Sequence, residues 1–380
     1  MDRSTGWQGW IMSPAIIAAL FMLALSPLLV DHLLFHPDER HYVDAALQMQ
    51  ETGEWLTPRT ADGELRLQKP ILAYWFVAAG TSLWDPSPFS TRVLFLLTGG
   101  ALIWWGARAA WEATGSRAAT ALTAFMLACH PALIISAVRS LPDVLLGTFV
   151  TMSLAGFVAI IARGRADWGP LLTAYLGGAL AILAKGSPAI VFVAYGTLYI
   201  AYYRRTLFRS QWSRFAVAAT LCCALGGSWF AAMHWRYGAE LVEQFVVDQG
   251  HPYRFASDTL QVLLQGLLIA LTLVLSFGLI LFPAARPIWN RRRDAAAICS
   301  RPVNHFLIGW IGLFLACAAC INHVSLRYLL PVAGPTAILL ATLIVELEGP
   351  RMRRNLRGLA WVSLALIPIA ATIVLLLSQN

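Results

Sequence analysis

The stretch H-P-D-E-R-H-Y, residues 36–42, places two carboxylates, an arginine and two histidines in seven residues directly after a long apolar run. Only 13% of the chain is Asp, Glu, Lys or Arg, so this density exceeds what a solvated turn needs. A carboxylate such as Asp38 or Glu39 suits a general base, and Arg40 with His41 suits an anion. The lysines point the same way. Of 28 basic residues only two are lysine, Lys69 in Q-K-P and Lys185 in A-K-G. A compact ammonium, in a chain that otherwise uses arginine, fits a phosphate-like anion. Three further polar stretches add candidates: R-S-L-P-D at 139–143 brings Asp143, H-P-Y-R-F at 251–255 brings His251, and R-Y-L-L-P at 327–331 brings Arg327 and Tyr328.

Each of these residues also has a plainer reading. Asp38 follows Pro37 and precedes a helix-like stretch ending at Gly53, so it suits a helix cap, with Glu39 favouring the helix dipole. Asp143 suits a structural partner for Arg139. Lys69, Lys185 and Arg327 suit interfacial anchors whose stems lie in the apolar layer, Tyr328 suits an interfacial aromatic belt, and His251 an ordinary loop residue. The six cysteines are scattered and show no zinc spacing; C-A-A-C at 317–320 lies inside an apolar run.

The elements that must position these groups are membrane helices. The chain is 380 residues long and 58% hydrophobic, with 15 Trp and a mean hydropathy of +0.64, against about 45–50% apolar residues in soluble domains. Apolar runs of roughly 20 residues, the length that crosses a bilayer as helix, recur throughout. The net charge of +8 is therefore a matter of topology, and no basic-aromatic motif points to nucleic acid.

The runs fall at about 11–35, 70–84, 88–110, 117–137, 142–162, 168–186, 187–203, 213–233, 259–284, 304–322, 327–347 and 356–377. The second is too short to cross comfortably and reads as an interfacial helix. With that assignment R-R-T-L-F-R, R-R-R and R-M-R-R all fall on the inner side, as the positive-inside rule requires; if the short segment crossed, all three would move outside. The expectation is an all-α polytopic membrane protein of about eleven spans. Residues 1–380 read as one transmembrane domain without a soluble C-terminal domain, with long outer loops at 36–69 and 234–258.

On that outer face, D-E-R-H-Y-V-D-A-A-L-Q-M-Q-E-T-G-E-W-L-T-P-R followed by Q-K-P-I-L-A-Y-W resembles the first outer loop of the GT-C membrane glycosyltransferases. The closest branch is the superfamily of bacterial aminoarabinose transferases and protein O-mannosyltransferases. R-S-L-P-D, L-A-K-G, H-P-Y-R-F and R-Y-L-L-P follow in the family's order. The resemblance implies a GT-C bundle with interfacial helices in the first outer loop. It implies inverting transfer of a sugar from a polyprenyl-phosphate-linked donor to a lipid, glycan or protein acceptor. The site would face the periplasm from a bacterial inner membrane, in cell-envelope glycan or lipid A-type modification. Asp38 matches the family's essential acid and Asp143 a second one, with Glu39 beside them. Lys69 and Tyr328 match residues near the donor phosphate, Lys185 matches a recurring K-G turn, and Arg40, His41 and Arg327 are further phosphate candidates. Relatives often read D-E-x-R-Y, so His41 stands in the usual arginine position here. Some relatives carry Glu before K-P as a metal partner for a later His; Gln68 stands there, so no cofactor is expected and a divalent metal at His251 is disfavoured. Two other classes remain open. A transporter or flippase of lipid-linked substrates predicts ionisable residues in mid-span and paired halves; the other is a carrier-binding relative that no longer transfers.

Overall fold

The computed structural model describes residues 13–30, 37–247, 256, 258–322 and 325–347. Among them the chain is helical, with one isolated β-bridge between Arg59 and Leu65. Helix α1 is Pro14–Leu25, continued by a 3-10 turn at Ser26–Val30; α2 is Pro37–Thr52 and α3 Leu72–Leu83. Then come α4 (Pro88–Thr114), α5 (Arg117–Ala128), α6 (Pro131–Ala137), α7 (Pro142–Arg163), α8 (Trp168–Lys185) and α9 (Ser187–Tyr203). After a short α10 (Arg205–Ser210), α11 runs Trp212–Tyr237 and α12 Ala239–Leu241. The remainder is α13 (Thr259–Ser276), α14 (Gly278–Asn290), α15 (Arg292–Cys299), α16 (Pro302–Ala319), a 3-10 turn at Leu326–Leu329, and α17 (Leu330–Leu347). Proline opens α1, α4, α6, α7 and α16, where its missing N–H is not needed.

Among the described residues six helices are long and apolar enough to cross a membrane, and α5 with α6 forms a bent seventh. The expected count of about eleven also uses α1 with its 3-10 turn, α8, α9 and the segment 356–377, which lies outside the described residues. The 117–137 run was expected as one span. It breaks at Cys129–His130 with a 59° bend, because Pro131 disfavours helical backbone at the residue before it, and His130 is extended (φ −74, ψ 121). The 259–284 run is likewise divided at Phe277.

The 12-residue α3 reaches only about 18 Å, short of the hydrocarbon thickness of about 30 Å. Gln50 of α2 donates to Ala78 O (3.1 Å) and Ser82 Oγ (2.7 Å) of α3, so these two helices of the first outer loop lie against each other. The side assignments made from charge are matched by contact. Arg163–Glu112 and Arg301–Glu346 each join two groups assigned inside, and Arg236–Glu54 and Lys185–Asp143 two groups assigned outside.

α7 is the central helix and is buried along nearly its whole length. It runs antiparallel to α8, joined by the turn 164–167, so the start of α7 and the end of α8 meet at the same end of the bundle. Small residues let the two backbones approach. A Cβ on Gly177 would lie 2.6 Å from Ser153 N and 2.8 Å from Phe149 O, both backbone atoms that cannot swing aside. Gly177→Ala is therefore expected to lower stability by about 1–3 kcal/mol, read as a drop in the thermal midpoint of the detergent-solubilised protein, and to spread Asp143 from Lys185.

Candidate active site

α2 begins the site. Its inward face is Glu39, Tyr42, Ala46 and Met49, at spacings of three and four. Adjacent helix residues diverge by about 100°, so Asp38 and Glu39 go to different places. Asp38, with 53% of its side chain exposed, turns toward Arg327, whose Nη2 lies 3.5 Å from its Oδ2. Glu39 is buried in the protein. Its Oε1 and Oε2 accept from Arg92 Nε (3.1 Å) and Nη2 (2.9 Å), and Oε1 also accepts from Ser140 N at 2.6 Å. Glu39 was expected in the catalytic set; its place is instead a buried bidentate clamp that fixes α2 to α4 and to the turn before α7. Arg92 is the residue the sequence reading missed. Its signal was a guanidinium four residues inside an apolar helix, where an unpaired charge is costly.

Asp143 opens α7 and is also buried. Its Oδ1 accepts from Lys185 Nζ at 2.5 Å, and its Oδ2 lies 3.5 Å from Arg327 Nε. Lys185 is the last residue of α8; Gly186 then takes φ +81, ψ −127, which lets α9 start at once in a new direction. The space beside Gly186 is filled by Phe245, whose ring lies 2.7 Å from where a Cβ would stand. Lys185 Nζ sits 4.1 Å above the Tyr328 ring, a cation–π contact. Arg327 and Tyr328 lie in the Leu326–Leu329 turn, which packs on α6 and the start of α7. Asp38, Asp143, Lys185, Arg327 and Tyr328 thus come together from four elements distant in sequence.

The other candidates stand at the rim or elsewhere. Arg40 is exposed and pairs with Asp44 at 3.2 Å, one helical turn along. His41 is exposed; partial burial and the Arg66 guanidinium hold its imidazole below the ordinary value, against the pull of Asp38. At neutral pH it therefore offers an anion a hydrogen bond but no charge. Lys69 is half-buried in the turn that leads into α3. His251 lies outside the described residues. Tyr42, buried one helical turn beyond Asp38, packs its ring 5.1 Å from that of Tyr74. Burial and the neighbouring Tyr74 and Asp143 push the Tyr42 phenol well above its ordinary value, so it stays neutral. Among the described residues no group of three His, Cys, Asp or Glu is arranged to hold a metal ion.

The second outer loop and α11 brace the first. Leu67 N donates to Gln244 Oε1 (2.8 Å), Trp229 Nε1 to Leu56 O (2.9 Å), and Arg236 pairs with Glu54 (2.8 Å). The result is a grouping at one end of the bundle of a half-exposed carboxylate, a buried carboxylate, two cations and a phenol.

Comparison with known proteins agrees with this architecture. Residues 68–229 match the family model described as dolichyl-phosphate-mannose-protein mannosyltransferase. An undecaprenyl phosphate-alpha-4-amino-4-deoxy-L-arabinose arabinosyl transferase of Aeromonas salmonicida is 29% identical over 370 residues, covering 91% of this chain and 63% of that protein. A protein of the same name, numbered 1, from Pseudomonas fluorescens is 26% identical, covering 93% and 61%. The crystal structure of ArnT from Cupriavidus metallidurans bound to undecaprenyl phosphate superposes with a TM-score of 0.68 at 21% identity, over 90% of this chain and 60% of that one. The apo oligosaccharyltransferase of Archaeoglobus fulgidus gives 0.58 at 13% identity, over 88% and 50%. The chain spans about 60% of the length of the curated relatives it matches. The chain thus has the fold of ArnT and is similar, over residues 68–229, to the dolichyl-phosphate-mannose-protein mannosyltransferases.

Proposed function

We propose that the chain transfers a sugar from a polyprenyl-phosphate-linked donor to an acceptor hydroxyl or phosphate at the outer face of a bacterial inner membrane. Lipid A-type or other envelope glycolipid modification is the setting that the named relatives favour. The observation that carries the reading is the grouping of Asp38, Asp143, Lys185, Arg327 and Tyr328 at one end of the bundle.

The chemistry follows from the donor. A phosphate-linked sugar already has its leaving group, so the protein must activate the acceptor and stabilise the departing phosphate. In this reading Asp38 accepts the proton of the attacking acceptor as the new C1–O bond forms and the C1–O bond to phosphate breaks. The bonding electrons leave on the polyprenyl phosphate. Lys185 and Arg327, with Lys69 as a further candidate, hold that charge where the dielectric is low and each contact counts for more than in water. Asp143 keeps the two buried-side cations in place. A single displacement inverts the anomeric centre and needs one base. The carrier's prenyl chain stays in the bilayer while its phosphate reaches the interface.

Lys185→Gln is expected to weaken donor use roughly tenfold through KM, the loss of one charged hydrogen bond; an unchanged KM would remove Lys185 from the phosphate site. The reading as a whole is tested by incubating the reconstituted protein with labelled polyprenyl-phosphate-linked sugars and membrane acceptors. Label in an envelope lipid or glycan supports it and identifies the acceptor class. Carrier binding without transfer would instead favour a flippase or a relative that only binds the carrier.

A further inference from the structure

At the end of the bundle opposite this site, the chain around α10 carries Arg204, Arg205, Arg209 and Arg214, yet no Asp or Glu occurs anywhere from Trp168 to Ala239. Several other arginines on that face are matched by carboxylates: Arg108 and Arg163 share Glu112, Arg165 pairs with Asp167, and Arg301 with Glu346. Among the described residues no carboxylate lies within ion-pair distance of the four.

Two of the four are built into the protein. Arg204 donates to Ile161 O at 3.2 Å; Arg214 donates to Ala166 O at 3.2 Å and lies over the Trp168 ring at 6.0 Å. Their charge is held in place without being neutralised. The other two, Arg205 and Arg209, are one turn apart on α10 and exposed on the same face. Leu207 and Phe208 turn the other way, Phe208 packing on Phe215 at 5.0 Å between ring centroids. Trp212, next along the chain, leaves 64% of its surface uncovered. The patch therefore offers an anion two outward guanidinium groups backed by two fixed ones, beside an indole of the kind that lies at headgroup level.

We propose that this patch binds the phosphate of an anionic glycerophospholipid of the inner leaflet, with Arg205 and Arg209 as the headgroup ligands. The indole favours a lipid over a soluble phosphate, since it has an acyl-glycerol region to lie against. The site has a mechanical consequence. α11 begins beside the patch and, about 39 Å away, ends where Trp229 and Arg236 hold the first outer loop. A lipid fixed at one end steadies the helix that braces the other.

The test titrates the full-length protein in neutral detergent with phosphatidylglycerol, phosphatidylcholine or inorganic phosphate, counting bound lipids by native mass spectrometry and following the thermal midpoint. Phosphatidylglycerol should bind in preference to phosphatidylcholine and raise the midpoint. Each arginine beside an anionic headgroup contributes about fivefold in affinity, so Arg205→Gln/Arg209→Gln should lose about 25-fold of that preference. The exposed pair Arg292→Gln/Arg293→Gln on the same face is the control and should keep it. The proposal fails if the preference survives in the double variant, if the control loses it equally, or if inorganic phosphate stabilises the protein as well as the lipid does.

Discussion

Glu39→Ala should destabilise the folded protein by about 3–5 kcal/mol, because it strands the Arg92 guanidinium in a buried site. Arg92 is 3% exposed and Glu39 2% exposed at the side chain, so water cannot take the lost partner's place. Arg92→Met should cost a similar amount for the converse reason. The informative variant is the double one. Replacing both charges by apolar side chains of comparable size removes the desolvation cost along with the attraction, so Glu39→Met/Arg92→Met should recover much of the loss. Recovery should remain incomplete by about 1–3 kcal/mol, since Ser140 N loses its acceptor. Chemical or thermal unfolding of the four proteins measures this. A double variant as unstable as the sum of the singles would mean that the pair does not act as a unit. Activity should follow stability here, because the clamp fixes the helix that carries Asp38.

Asp38→Asn should behave in the opposite way. General-base catalysis contributes about 10²–10⁴-fold, so transfer should fall by that factor while the thermal midpoint and carrier binding stay near wild type. Asp38 is half exposed and its ion pair with Arg327 is long, at 3.5 Å, so little folding energy is at stake. Asparagine keeps the shape and a carbonyl oxygen toward Arg327 but cannot accept the acceptor's proton. A large loss of stability in this variant would return Asp38 to a capping role.

The contrast between these neighbours marks the limit of what the sequence discloses. The density of charge in 36–42 falls at the start of α2, where Asp38 faces Arg327, and the helical stretch beyond it ends where Gly53 suggested. Distribution of arginine assigned the sides, and the ion pairs within the structure agree. Which of two adjacent acids faces Arg327 depends on the inward face of α2, which the periodicity of Tyr42, Ala46 and Met49 defines only once the helix start is known. The partner of Glu39 lies 53 residues away on α4, a tertiary fact that no local pattern carries. Asp143 and Lys185 were legible singly, as charges at the ends of apolar runs. Their pairing needed the antiparallel contact of α7 and α8, set by small residues such as Gly177. The break at His130 was available from Pro131 but was outweighed by the apolar length of the segment.

We propose that Asp38 is the base for sugar transfer and that Lys185 and Arg327 hold the carrier phosphate. The most direct measurement is the initial rate of labelled sugar transfer from polyprenyl-phosphate-linked donors, comparing wild type with Asp38→Asn in preparations matched for thermal midpoint and carrier binding. Transfer by the wild type and its loss by at least about 10²-fold in the variant is the predicted result. Undiminished transfer by Asp38→Asn would contradict the account.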